Sequence, residues 1–356
     1  MKKFILLLLF IPLYTFGKEE SISDGPYIFI AKNTLIEKKI INNKVLSIIL
    51  KTSAFDTSYV PEKSTFNDIR NIAALSDIHG QYDLLIDLLK NNKIIDKNLN
   101  WSFGKGHLVI NGDIFDRGDK VNEVLWLIYK LEIQAKNTGG RVHYLLGNHE
   151  YMILYNDLRY IHEKYKLSSK LMNLEYDELY SDKTIIGRWL RSKSTIIKIN
   201  DIIFTHGGIS EDFIAYENFN IEKINDIMRK SINRLKEIRK LRKEGQSNNF
   251  YKMYYGNKSL IWYRGYFTDD LQGSDILKIL KLVDTDHIVV GHTSNEKVVQ
   301  LYNNKIIGVD SGIKNGKYGE ILFIKNKRFF RGTLNGTLIE LLSENQQPNR
   351  VKEHSK

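Results

Sequence analysis

From Asn71 onward, apolar runs of strand length each end in a polar cluster. IAAL precedes Ser76-Asp77, HLVI precedes Asn111-Gly112-Asp113, and VHYLL precedes Gly147-Asn148-His149. DIIF then precedes Thr205-His206, and HIVV precedes Gly291-His292. Runs that are apolar at every position, rather than at alternate ones, predict strands buried on both faces with helices between them. One such helix follows the first strand, where Leu84, Leu85, Leu88 and Leu89 of YDLLIDLLKNN recur at helical spacing and form an apolar stripe. The pattern predicts an α/β chain whose polar residues gather at the C-terminal ends of its strands, where open α/β sheets place their sites.

The flanks read differently. Asp24-Gly25-Pro26 marks a turn before YIFIA, and Asn42-Asn43 another before KVLSIIL. These predict a β-hairpin added to the edge of the main domain, and residues 54–70 read as a polar connection. Residues 150–195 read as helical and peripheral. Residues 221–243 read as a basic helix carrying Arg229, Lys230, Arg234, Lys236, Arg239, Lys240, Arg242 and Lys243, either a solvated lid face or a docking surface for an acidic partner. Strand signals return from Lys305 to about Leu338, and residues 343–356 read as a disordered tail. At the front, residues 1–17 have a short basic start and an apolar run from Phe4 to about Leu13, followed by the small residues Thr15 and Gly17. That is the pattern of a bacterial-type signal peptide, and the run is too short to span a bilayer core of roughly 30 Å as a permanent helix. The expectation is export to the periplasm or the medium with no stable membrane span after cleavage; an uncleaved anchor is the alternative.

Composition narrows the chemistry. The chain has 356 residues, 42% of them hydrophobic and 27% charged, with 24 Gly and 4 Pro, which is ordinary for a globular protein. It has no cysteine, which excludes disulfides, thiolate nucleophiles and thiolate metal ligands. Any metal must be held by nitrogen and oxygen. The net charge of +11 favours acidic partners. The charge is dispersed and no aromatic-basic motif of the recognised kinds occurs, so nucleic acid is not the expected partner.

Each polar cluster carries a chemistry. In Asp77-Ile78-His79-Gly80 a carboxylate and an imidazole can converge on one cation if the backbone tightens, which Gly80 permits. In Gly112-Asp113-Ile114-Phe115-Asp116-Arg117-Gly118 the two oxygens of Asp113 can bridge two metals, with Asp116 and Arg117 in the loop above. Gly147-Asn148-His149-Glu150 pairs an amide oxygen with an imidazole; Glu150 either orients a neighbour or merely begins the next helix. His206-Gly207-Gly208 and Gly291-His292-Thr293 add two more imidazoles. Carboxylate, amide and imidazole donors suit Mn, Fe or Zn. Two such ions about 3.5–4 Å apart can share a water, lower its pKa and hold a phosphoryl group for in-line attack, and an Arg fork matches phosphate oxygens.

The series DIHG, GDIFDRG, GNHE, HGG and GHT, in this order from Asp77 to Thr293, resembles the phosphoprotein phosphatase family of the calcineurin-like metallophosphoesterase superfamily. The resemblance implies a layered α/β sandwich of two mixed β-sheets flanked by helices, over residues 71–342. It implies two divalent metal ions, Mn2+ foremost. Asp77 and His79 would bind the first, Asp113 would bridge, and Asn148, His206 and His292 would complete the second. His149 would be the general acid, oriented by Asp116, and Arg117 and Asn148 would contact the substrate phosphate. Two departures matter: Leu146 stands where the eukaryotic Ser/Thr phosphatases have Arg, and their Trp-Asp-Pro-type element is missing. Leu260-Ile261-Trp262-Tyr263-Arg264-Gly265, with Gly187-Arg188-Trp189-Leu190-Arg191 and the leader, is similar to the Shewanella-like protein phosphatases. Arg264 is then the second phosphate-binding Arg, with Arg191 and Arg188 as alternatives.

The expected activity is hydrolysis of a phosphomonoester, on a phosphorylated protein or a small phosphoester. The alternatives are hydrolysis of a dinucleoside polyphosphate or other nucleotide, and a non-catalytic metal- or phosphate-binding protein. His107, His143, His162, His287 and His354 match no motif and read as structural or surface residues.

Overall fold

In the computed structural model, residues 21–342 are described, except 235–236, 238–239, 241–243, 245–248 and 269. The leader and the C-terminal tail expected from the sequence lie outside the described residues. The strands in chain order are β1 (Asp24–Ala31), β2 (Thr34–Ile41), β3 (Lys44–Leu50), β4 (Thr65–Phe66), β5 (Asn71–Leu75), β6 (His107–Ile110), β7 (Arg141–Tyr144) and β8 (Ile196–Ile199). They continue with β9 (Ile202–Thr205), β10 (His287–Val290), β11 (Val299–Leu301), β12 (Ile306–Gly308), β13 (Ile321–Lys325), β14 (Arg328–Gly332) and β15 (Leu338–Glu340). The helices used below are α1 (Tyr82–Asn91), α2 (Val121–Asn137), α3 (Asn148–Leu154), α4 (Glu163–Met172), α5 (Ile185–Arg191), α6 (Glu211–Glu217) and α7 (Ile221–Ser231).

Two six-stranded mixed sheets form the expected sandwich, in the orders β11-β12-β10-β9-β8-β4 and β15-β14-β13-β5-β6-β7. The site-bearing strands run parallel within each sheet: β5, β6 and β7 in one, β9 and β10 in the other. Their unbroken apolar composition is explained by two separate cores. Ile72, Ala74 and Val109 face Phe204, Val289 and Ile307 between the sheets, while Ala73, Leu75, Leu108, Ile110, Ile203, Ile288 and Val290 face the outer layers. Both faces are dry, so the polar side chains have only the strand ends to occupy. Asn111 ties the two sheets at that end, its Nδ2 donating to the carbonyls of Thr205 (3.2 Å) and Val289 (3.0 Å).

Four expectations change. The predicted hairpin is a three-stranded antiparallel sheet, β1-β2-β3, because the charged stretch TLIEKKII also forms a strand with Leu35 and Ile40 buried. It joins neither main sheet. It lies against the helical layer, with Ile30 N–H donating to the Lys183 carbonyl (2.7 Å) and Trp126 Nε1 to the Pro26 carbonyl (2.9 Å). Residues 150–195 are helical but not peripheral: Tyr165, Tyr176, Tyr180 and Trp189 are buried, and the small sheet packs on this layer through Tyr27 against Tyr180 and Phe29 beside Thr184. The connection 54–70 contributes β4, paired parallel to β8. The basic stretch is helical over Ile221–Ser231, is interrupted by the 3-10 turn Ile232–Arg234, and is helical again at Glu237 and Lys240; Lys236, Arg239, Arg242 and Lys243 lie outside the described residues.

Candidate metal centre

The five polar clusters converge at one end of the sandwich, and the backbones of three of them turn sharply there at non-glycine residues. Asp77, His79, Asp113, Asp116, Arg117 and His292 have φ between 47° and 72°. Non-glycine residues seldom adopt this left-handed region, and such strain is commonly held at functional sites. Two glycines make the turns fit. Gly80 has φ 70° and abuts Gly118, and a Cβ on Gly147 would lie 2.4 Å from Asp113 Oδ1.

Asp113 is the hub. Its Oδ2 lies 3.7 Å from His79 Nε2, 3.8 Å from His149 Nε2 and 3.1 Å from His206 Nε2, and its Oδ1 accepts the His149 N–H (3.0 Å). Donor atoms of His79, Asp113 and His149 lie within 4.8 Å of one another, as do those of Asp113, His206 and His292. The two groups share Asp113, as a bridging carboxylate requires. Asp77 Oδ1 is 3.8 Å from His79 Nε2, while Asp77 Oδ2 accepts the His292 N–H (2.9 Å) and the Ser76 hydroxyl.

The imidazoles are fixed by backbone. His79 Nδ1 lies 2.6 Å from the Phe115 carbonyl and His206 Nδ1 2.6 Å from the Asn111 carbonyl. A carbonyl only accepts, so each Nδ1 carries the proton and each Nε2 is left as the ligand atom. His206 Nε2 then faces Asn148 Oδ1 at 2.8 Å. Two acceptors at that distance need a proton or a cation between them. The buried His292 Nε2 has no hydrogen-bond partner among the described residues. These features fit the donor set to divalent cations.

Electrostatics separates the histidines. Burial, reinforced by His149, pushes His79 down to about 3, and burial with His206 and Arg264 holds His292 well below its ordinary value. Both are neutral, as ligands must be. Burial opposes charge on His149 too, but Asp113 and the hydrogen-bonded Asp116 override it and raise its pKa. His206 is raised to about 10 in the same way, against burial, by Asp113. His149 alone has a carboxylate on its far nitrogen, since Nδ1 is bonded to Asp116. That leaves Nε2 to hold a transferable proton.

Glu150 is the residue that the sequence left undecided, and it proves to be a clamp. Fully buried, its carboxylate accepts N–H bonds from Asp113 (2.9 Å), Ile114 (2.7 Å) and Gly147 (2.7 Å) and the hydroxyl of Tyr144 (2.8 Å). It therefore locks the Asp113 loop to the start of α3. Nothing local in the sequence marks it, because three of its four partners lie on other elements or beyond the turn. The buried Asp310 was also missed; it takes the Ser294 hydroxyl (2.5 Å) and the Gly312 N–H (3.1 Å) and lies close enough to Asp77 to raise it.

The arginines are sorted by position. Arg264 Nη1 donates to the His292 carbonyl (2.6 Å), with Nη2 3.5 Å from His292 Nδ1, so it borders the centre. Arg117 lies over the Tyr160 ring at 5.5 Å, and that ring is 5.5 Å from His149. Arg191 instead bonds the carbonyls of Tyr180 and Gly187, and Arg188 those of Asp182 and Thr57. Neither reaches the cluster. Asp77, His79, Asp113, Asp116, Arg117, Asn148, His149, His206, Arg264 and His292 are thus brought together.

Residues 70–296 match the calcineurin-like phosphoesterase family. The chain belongs to it. A cold-active protein-tyrosine phosphatase of a psychrophilic Shewanella species, solved by crystallography, is 40% identical, with 90% of this chain and all of that one covered at a TM-score of 0.85. Shewanella-like protein phosphatase 1 of Plasmodium berghei is 28% identical over 320 residues, covering 87% of this chain and 81% of that protein. Shewanella-like protein phosphatase 2 of Arabidopsis thaliana is 24% identical over 303 residues, covering 71% and 74%. The chain is therefore a phosphoesterase of the branch that its motifs resemble, a hydrolase with a divalent-metal site.

Proposed function

We propose that this phosphoesterase is a protein phosphatase that holds two divalent cations, Mn2+ foremost, and hydrolyses phosphotyrosine in proteins outside the cytoplasm. The observation that carries the dinuclear part is Asp113, whose Oδ2 lies 3.7 Å from His79 Nε2 and 3.1 Å from His206 Nε2, between the donors proposed for the two cations. The tyrosine preference is supported by the 40% identical Shewanella enzyme and by Tyr160 and Trp262, whose rings stand 5.5 Å from His149 and 5.4 Å from His292 at the mouth of the centre. Export is supported by the apolar leader Phe4–Leu13; among the described residues no helix is long and apolar enough to cross a membrane.

Asp77 and His79 would hold one cation, and Asn148, His206 and His292 the other, with Asp113 between them. Bound cations at this site supply Lewis-acid polarisation of the phosphoryl group and activation of the attacking water. The chain's own residues do the rest. Arg117 and Arg264 present planar forks to the phosphate oxygens, a charge-assisted geometry that fixes the phosphorus in line. His149 holds a proton on Nε2, kept there by Asp113 and by Asp116 on Nδ1, and delivers it to the departing oxygen as the P–O bond breaks. Glu150 and the backbone carbonyls hold these groups in place.

The test is turnover by the purified, Mn-loaded protein on an aryl phosphate, phosphotyrosine, phosphoserine and phosphothreonine peptides, and a dinucleoside polyphosphate, with metal content measured. Two ions per chain and the highest kcat/KM on phosphotyrosine peptide are expected. No turnover by folded, metal-loaded protein would overturn the assignment, and a faster rate on the dinucleotide would overturn its phosphoprotein part. N-terminal sequencing of the periplasmic fraction, expected to begin after Gly17, checks the export.

A further inference from the structure

A cavity of about 510 Å³ opens beside the metal centre and shares two of its walls. Arg264, bonded to the His292 carbonyl, also lines the cavity. So does Tyr160, whose ring lies 5.5 Å from the His149 ring and within cation-π distance of Arg117 (5.5 Å) and Arg159 (5.4 Å). The rest of the wall includes Trp262, Tyr263 and Lys258, the Lys258 Nζ standing 5.8 Å from the Tyr263 ring. Among the described residues the lining contains three cations, Arg159, Lys258 and Arg264, and no carboxylate. The carboxylates that pair with the two outer cations stay out of the wall: Asp157 takes Nε and Nη2 of Arg159 at 2.8 and 2.9 Å, and Asp212 stands 3.6 Å from Lys258. The Asp157 pairing holds the Arg159 fork in one orientation and leaves its Nη1 as a donor.

We propose that this cavity is a specificity subsite for an acidic side chain close in sequence to the phosphorylated tyrosine of a substrate protein, an inference that stands on the phosphatase reading above. A peptide whose phosphate lies on Arg264 has its flanking residues directly at the cavity, because an extended residue advances only about 3.3 Å. The aromatic walls provide surface for the peptide's apolar atoms, and a carboxylate arriving there meets Arg159 and Lys258, with no negative group among the described lining residues to repel it. Arg159 is exposed and Lys258 half-buried, so their contribution is that of surface pairs, and the expected preference is about fivefold to tenfold rather than absolute.

The experiment measures binding without turnover. The Mn-loaded full chain is titrated with fluorescent peptides carrying a non-hydrolysable phosphonomethyl-phenylalanine in place of phosphotyrosine. The flanks are two Asp before it, two Asp after it, two Phe on either side, or Ala throughout. At least one Asp peptide should bind about fivefold to tenfold more tightly than the Ala peptide, with the advantage shrinking in salt. Lys258→Glu should bring the ratio to about one or below, as should the double variant Arg159→Gln with Lys258→Gln, which keeps a donor for Asp157. Equal binding of Asp and Ala peptides, an advantage for Phe instead, or an Asp preference that survives both variants would overturn the subsite. A wild-type chain that hydrolyses aryl phosphate yet shows no Asp preference refutes the subsite and leaves the phosphatase standing. An Asp preference in a chain without turnover does the reverse.

Discussion

Strand β6 begins at a buried histidine, His107, and leads at its other end into the metal centre, and the two ends have opposite chemistry. At its start His107 faces His143 of β7, Nδ1 to Nε2, at 2.9 Å, beneath the ring of Phe66. The charged groups felt there are the cations Arg141, Lys63 and Lys193. Burial first, and those cations next, push His107 down to about 4 and His143 well below its ordinary value. At the C-terminal end Asp113 and Asp116 give His149 a raised pKa, although it is nearly as buried. A buried imidazole is thus inert or chemically useful according to whether the fold brings a carboxylate to it. Histidine content alone does not distinguish the two.

The contrast can be broken hardest at the catalytic end. His149→Ala should lower kcat by roughly 10²–10⁴, the range for a lost general acid, while metal content and the unfolding midpoint stay near those of the parent. An unchanged rate would remove His149 from that role. Next in size is Glu150→Ala, which strips acceptors from four buried donors at once. A loss of about 3 kcal/mol or more in folding stability is expected, with metal affinity falling about 10–100-fold, read by denaturant unfolding and metal titration. Parental stability in that variant would show that the clamp is dispensable.

The other end should respond to acid and not to substrate. Unfolded histidine titrates near 6.5 and folded His107 near 4, so the unfolded chain takes up protons first as the pH drops. The contribution of His107 is complete above about 6.5 and is lost as pH falls from there towards 4, by about 2 kcal/mol at pH 5. The double variant His107→Asn, His143→Gln should show a correspondingly flatter stability profile between pH 7 and pH 5, with kcat/KM at pH 7 close to the parent's. An identical pH slope in parent and variant would refute the protonation cost assigned to this pair. The smallest effect is expected at Arg188, whose guanidinium bonds Asp182 and Thr57 carbonyls away from the centre. Arg188→Ala should leave kcat/KM within about twofold, and a larger fall would contradict that placement.

Much of the centre was legible beforehand because its ligands sit next to the strands that carry them. Asp77 and His79 follow IAAL by two and four residues, and Asp113 follows HLVI by three. A run apolar at every position ends where burial on both faces ends, and the first polar side chains appear there. The three-stranded N-terminal sheet was less legible, since Glu37, Lys38 and Lys39 mask a strand in which only Leu35 and Ile40 are buried. Residues 150–195 looked peripheral because no local pattern announces that β1-β2-β3 packs on them.

The sequence by itself determined the donor set, its order and its chemistry. The absence of Cys confines the ligands to oxygen and nitrogen, and five clusters at strand ends need only a layered α/β fold to meet. Tertiary structure alone decided how each member acts. It set the left-handed backbone that turns Asp77, His79, Asp113 and His292 towards one point, and it placed Arg264, rather than Arg191 or Arg188, beside His292. It also turned Glu150 from the start of a helix into the lock on the Asp113 loop. The physical reason is range. Side-chain type and strand burial are properties of a few consecutive residues, whereas hydrogen-bond partners and pKa shifts depend on groups within a few ångströms, which the fold gathers from far along the chain.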